Sequence, residues 1–219
     1  MKFAILLLLA SLAVCFKRPG RPNIFMIPHG EKMTNGSDRL SEAGLARAEC
    51  LREIFGPGSV YNIGLILVPK YKFTPGIVDR LGYDTMTPLA EDLNINIRAG
   101  CARLTYGCVL EAIDYWVGTG KNALVCWEPK LLGGLSRLLG LRRLERYPSG
   151  RHDIIWELTP CRYYMKRRTL QKCPGLDVPW VNLDSEDENL GSEDKGSEEE
   201  IESWQLRASK VYNATVGVK

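Results

Sequence analysis

Between residues 23 and 158, short apolar runs alternate with segments of helical period. Residues 23–27 (NIFMI) form an uninterrupted apolar run closed by Pro28, the pattern of a buried strand. Ser41 sits as an N-cap before a helical stretch to Phe55, along which Leu45, Ala48, Arg52 and Phe55 are spaced, and Gly56-Pro57-Gly58 stops it. Residues 61–68 predict a second strand. Thr87-Pro88 has the N-cap and N1 pattern of a short helix to Leu93, and residues 94–98 predict a third strand. A helix over 106–117 presents Val109, Ile113, Trp116 and Val117 on one side. Residues 122–127 (NALVCW) form the next strand, 131–141 a helix despite Gly133 and Gly134, and 153–158 a last strand. Strands this apolar, alternating with helices, predict an α/β three-layer sandwich: a mostly parallel sheet with helices on both faces. In such sheets the active site lies beyond the carboxyl ends of the strands, here Pro28-His29-Gly30 and Glu128-Pro129.

The ends of the chain differ from this middle. Met1-Lys2 precedes a twelve-residue apolar run (3–14), followed by Cys15-Phe16 and the basic Lys17-Arg18. This is the pattern of a signal peptide over residues 1–15, with the mature chain starting between Val14 and Lys17 and secreted. The run is shorter than the roughly 20 residues a membrane span needs, and no later stretch is long and apolar enough, so no membrane is expected. The folded domain is expected over 16–180. From 184 to 202 ten acidic residues stand against one lysine, a net of −9, so 181–219 is expected to be an acidic disordered tail. From 137 to 172 ten basic residues stand against three acidic ones, a net of +7. Without interleaved aromatics this reads as a solvated surface partly neutralised by the tail, and no nucleic-acid partner is expected.

Cleavage near Cys15 leaves six of the seven cysteines. An even count in an oxidising compartment permits disulfides, and six cysteines allow fifteen pairings. Cys101 with Cys108, and Cys161 with Cys173, are expected because each pair brackets a short segment outside the strands; Cys50 and Cys126 are left as free thiols or a pair of their own. Asn35-Gly36-Ser37 and Asn213-Ala214-Thr215 are glycosylation sequons. With only His29 and His152 as histidines and no CxxC pair, neither a metal site nor a cofactor is expected.

Residues 23–32 (NIFMIPHGEK) resemble the Arg-His-Gly signature of the histidine phosphatase, or phosphoglycerate mutase-like, superfamily. Residues 40–48 (LSEAGLARA) are similar to its Leu-Ser/Thr-x-x-Gly-x-x-Arg-Ala helix. Residues 83–93 (YDTMTPLAEDL) resemble the segment after its second phosphate-binding arginine, and 122–128 (NALVCWE) the strand that delivers a second catalytic histidine. Residues 173–177 (CPGLD) are similar to the ending of secreted fungal members. The likeness spans residues 22–178 in order. It implies a phosphoglycerate mutase-like fold, a nucleophilic His29 that becomes phosphorylated, and arginines around the phosphoryl oxygens. The expected catalytic set is His29, Arg80 and Glu128, with Glu31 a second nearby carboxyl.

The sequence departs from the family at decisive positions. Pro28 replaces the arginine before the histidine, and Pro129 stands where the second histidine is expected. Arg80 lies one residue further from Thr85 than the family spacing. Residues 102–107 (ARLTYG) fill a position where secreted relatives carry acids. Losing one preorganised donor to transition-state charge lowers a rate by about 10²–10³. The expectation is therefore a catalytically impaired relative that acts as a binding module for phosphate or another anionic ligand, with no protein partner identifiable. The alternative is an active phosphomonoesterase working through a phosphohistidine at His29.

Overall fold

The computed structural model describes residues 20–35, 37–74, 77–141, 145–159 and 164–178. The expected signal peptide, the acidic tail, Cys161 and the second sequon lie outside the described residues, as does Gly36 of the first sequon. No helix among the described residues is long and apolar enough to cross a membrane.

The elements run β1 (Ile24–Pro28), α1 (Glu42–Phe55), β2 (Ile63–Pro69), β3 (Lys72–Thr74), β4 (Ile77–Asp79), α2 (Leu81–Leu93), β5 (Ile97–Cys101), α3 (Tyr106–Tyr115), β6 (Asn122–Trp127), α4 (Pro129–Leu138), β7 (Ile154–Thr159) and β8 (Tyr164–Leu170). Six strands form one sheet in the order β5-β2-β6-β1-β7-β8, while β3 and β4 form a separate two-stranded hairpin. The first four of that order are mutually parallel; β7 runs antiparallel to β1, and β8 to β7.

Both faces of the sheet are apolar because residues alternate in side with period two. Ile24, Met26, Val125 and Trp127 share one core with Val109 and Ile113 of α3 and Leu132 and Leu135 of α4. Phe25, Ile27, Leu124 and Cys126 share the other with Leu51 and Phe55 of α1 and Met86 and Leu89 of α2. The expected α/β three-layer sandwich with a mostly parallel sheet is what the chain forms. In β2 the alternation slips, because a register irregularity between Ile63 and Leu65 puts these two residues in opposite cores.

Several boundaries differ from expectation for physical reasons. Pro88 lies inside α2 rather than at its start, and the helix begins at Leu81. Burial of Leu81, Gly82, Thr85 and Met86 outweighs the hydrogen bond that Pro88 cannot donate. Asn94, in the left-handed region at φ 51°, ends that helix, so the next strand starts at Ile97 and not at 94. The buried stripe of α1 is Gly44, Arg47, Ala48, Leu51 and Phe55; Leu45 faces solvent. Pro129 occupies N1 of α4, where its missing N–H costs nothing. A Cβ at Gly133 would stand 2.2 Å from the Glu145 carbonyl oxygen, which explains a glycine inside that helix.

The disulfides correct one expectation. Cys101 pairs with Cys108 as predicted, but Cys173 pairs with Cys50, not with Cys161. Cys126 is a buried free thiol.

Candidate anion-binding cleft

All four parallel strands deliver a residue to one cleft at their carboxyl edge. His29 follows β1, Lys70 follows β2, Arg103 lies just beyond β5, and Glu128 follows β6. Arg80, the N-cap residue of α2, completes the wall. The cleft holds about 510 Å³ and is also lined by Lys32, Asp38, Tyr71, Tyr83 and Trp127. His29, Arg80 and Glu128 are therefore brought together in one place, while Glu31 is not among the lining residues.

The loop carrying His29 is clamped on three sides. The His29 N–H donates to the Trp127 carbonyl at 3.0 Å, continuing the β1–β6 ladder past the strand end. The Gly30 N–H donates to Thr85 Oγ1 at 2.9 Å, and that hydroxyl donates to the Leu81 carbonyl at 2.6 Å. Gly30 and Gly44 meet backbone to backbone: a Cβ on Gly44 would stand 2.3 Å from the Glu31 carbonyl oxygen. Glycine is required at Gly44 by this approach, which seats the loop on the first turn of α1.

The same loop is anchored by a buried charge. Arg47, only 1% exposed, donates from Nε and Nη2 to the Glu31 carboxylate, the shortest contact being 2.6 Å. It also donates to Gln171 Oε1, Asp177 Oδ1 and the Leu176 carbonyl. Burial pushes the Glu31 carboxyl up, but the hydrogen bonds and charge of Arg47 more than offset this and hold it below its ordinary value. Glu31 thus serves to position the loop rather than to face the cleft.

His29 Nδ1 lies 2.7 Å from the Gly30 carbonyl oxygen. A carbonyl only accepts, so Nδ1 carries the proton and Nε2 of the neutral ring keeps its lone pair. His152, unassigned by the sequence, comes to the same edge because β7 is antiparallel. Its Nδ1 donates to the His29 carbonyl at 2.7 Å, and the two rings are 5.8 Å apart.

Four cations line the cleft against two carboxylates. Lys32 pairs with Asp38, Arg103 with Glu128 at 2.8 Å, and Arg80 with Asp84 at 2.8 Å. Arg80 also stands over the rings of Tyr83 (5.0 Å) and Tyr71 (5.8 Å). Among the described residues, Lys70 makes no ion pair, and the buried Nε of Arg80 has no acceptor. Burial, reinforced by the Glu128 charge, pushes the Tyr106 hydroxyl up to about 12.

Pro28 is buried as the last residue of β1, opposite Trp127, and Pro129 is half-buried at the start of α4. Lys70, Arg103 and His152 were missed by sequence reasoning. The sheet-edge rule applied to the predicted strand 61–68 points to Lys70; the predicted strand 94–98 ends too early to point to Arg103, and nothing in the sequence signals His152.

No family model matches the chain, and no curated protein matches its sequence. Solved structures similar to it include the protein histidine phosphatase SixA complexed with tungstate: 18% identity, 68% of this chain, 97% of that one, TM-score 0.49. A mycobacterial glucosyl-3-phosphoglycerate phosphatase complexed with VO3 is 16% identical over 63% of this chain and 92% of that one, with a TM-score of 0.47. The inorganic phosphate complex of that phosphatase gives 15%, 63%, 89% and 0.47.

Proposed function

We propose that the chain is a secreted protein of the phosphoglycerate mutase-like type whose cleft binds phosphate or a related anion with catalysis impaired. The observation that carries this is Arg80, a residue of the cleft wall whose buried Nε–H lacks an acceptor among the described residues. A buried donor left without a partner costs about 1–3 kcal/mol, a deficit an oxyanion would relieve. Lys70, without an ion pair among the described residues, adds a charge to the same wall.

Impairment rests on Pro28 and Pro129. Neither supplies a side-chain donor, and neither has a backbone N–H to offer. Three of the four cleft cations are already partly neutralised by carboxylates, which further weakens the field available to a phosphoryl transition state. The folded domain is proposed to span 16–180, after a signal peptide and before the acidic tail. Two disulfides fit an oxidising compartment.

One observation favours the alternative. The Nδ1–H tautomer of His29 leaves Nε2 basic, as attack on phosphorus requires. In that reading Nε2 bonds to phosphorus as the P–O ester bond breaks, Glu128 delivers a proton to the leaving oxygen, and water then attacks phosphorus, returns a proton to Glu128 and frees phosphate from the ring.

Calorimetric titration with inorganic phosphate tests the binding reading. Lys70→Met with Arg80→Met should weaken binding about tenfold or more while circular dichroism stays unchanged. Phosphate binding that is equal in the wild type and this variant would refute it.

A further inference from the structure

The cleft has an aromatic side that phosphate alone leaves unused. Tyr71 and Tyr83 line it together with Arg80. The β3–β4 hairpin explains how Tyr71 and Arg80 meet: Lys72 pairs with Asp79, so the residues just outside that pair stand together at the open end of the hairpin. Tyr83 follows three positions after Arg80, in the first turn of α2, the spacing that brings two helical side chains to one face.

The Arg80 guanidinium stands 5.8 Å from the centre of the Tyr71 ring and 5.0 Å from that of Tyr83, and the two rings meet edge to face at 5.7 Å. Asp84 holds the guanidinium at 2.8 Å from one turn further along α2. Tyr71 is nonetheless 43% exposed, so much of its ring remains open. Pro69 and Leu81 also add apolar lining to the cleft. Its volume of about 510 Å³ lies within the roughly 300–1,000 Å³ of clefts that hold whole organic ligands, several times what a phosphate ion fills. A planar ring gains more from such a wall than an aliphatic group of the same size. The ring quadrupoles and the guanidinium plane add electrostatic and stacking attraction to the burial of area.

We propose that Tyr71, Arg80 and Tyr83 form a subsite for a planar aromatic group, so that the cleft takes aryl phosphates in preference to inorganic or alkyl phosphates. The inference rests on the reading of the cleft as an anion site, and it names the class of organic group that accompanies the anion. Lys70 and Tyr71 are consecutive and both line the cleft, so adjacent residues serve the phosphoryl group and the ring attached to it.

The test titrates the full chain with inorganic phosphate, phenylphosphonate and cyclohexylphosphonate, the last two being proof against hydrolysis. The wild type should bind the phenyl compound about three- to tenfold more tightly than the cyclohexyl one. Tyr71→Phe should keep that ratio and Tyr71→Leu should bring it close to one; comparing ratios cancels any difference in charge between the probes. In the wild type, nuclear Overhauser contacts should link the phenyl protons to the Tyr71 ring. Should circular dichroism show Tyr71→Leu unfolded, the wild-type ratio and these contacts decide. A wild-type ratio near one, or a ratio that Tyr71→Leu leaves unchanged, would overturn the proposal, while phosphate binding in the same titrations would leave the anion-site reading standing. Phenylphosphonate binding that depends on Tyr71, without any binding of inorganic phosphate, would support the aromatic subsite and refute the anion site. Binding of none of the three would refute both.

Discussion

Replacing Arg47 with methionine should be among the most damaging single changes in this protein, and the structure sets its size. The guanidinium is 1% exposed and makes hydrogen bonds to Glu31, Gln171, Asp177 and the Leu176 carbonyl. Methionine keeps most of the volume, so the effect is not mainly a cavity. It leaves the Glu31 and Asp177 carboxylates, 25% and 14% exposed, without their shared counter-charge. Breaking a buried pair costs about 3–5 kcal/mol, and the residual exposure of Glu31 places this one near 3. For a domain of this size that is about 6–12 °C in Tm. The loss should also depend on pH. The folded-state pKa of Glu31 is lowered, so its contribution is complete above the ordinary value of 4.5 and disappears as the pH falls through the folded value. In the variant the lowering by Arg47 is lost, so the folded-state pKa rises from its wild-type position. The stability gap should therefore be widest near pH 7 and narrow steadily below about pH 4.5. Urea denaturation with disulfides intact, run at several pH values, measures this. A gap under 0.5 kcal/mol at pH 7, or one independent of pH, would refute the reasoning.

Other expectations follow from single contacts. Gly44→Ala should cost about 1–3 kcal/mol, since its Cβ meets the Glu31 carbonyl oxygen at 2.3 Å; Gly107→Ala, with nothing within 4 Å, should be neutral within about 0.5 kcal/mol. Denaturation midpoints compare the two. Thr85→Val should cost about 1–3 kcal/mol by leaving the Gly30 N–H without an acceptor, and amide exchange at Gly30 should accelerate. Removing the Cys50–Cys173 bridge by serine substitution should cost about 4–5 kcal/mol against about 2–3 for Cys101–Cys108, because the first closes a far longer loop; guanidinium unfolding of both pairs tests the order.

The parts of the fold legible in the sequence were those written in continuous apolar residues. The strand of residues 122–127 was read without error because all but one of its six residues are buried, and the edge rule led from it to Glu128 and from β1 to His29. What stayed hidden was written in polar residues. The strand β8 lies at the sheet edge and reads Tyr-Met-Lys-Arg-Arg-Thr-Leu, so its charges resembled a solvated surface. The buried role of Arg47 has no local signal, since its partners arrive from 16 and 130 positions away. The Cys50–Cys173 pairing spans 123 residues, and no local spacing could reveal it. His152 reaches the site only because β7 reverses direction.

The measurement closest to the central claim is phosphoryl trapping on His29. Wild-type protein and His29→Ala are mixed with a ³²P-labelled phosphomonoester, quenched within milliseconds in alkali, and counted for label that survives base but not acid. Impaired catalysis in an anion-binding cleft predicts no His29-dependent label, although the wild type still binds inorganic phosphate. Label on the wild type that disappears with His29→Ala, together with steady release of phosphate, would show that the cleft turns over and contradict the account.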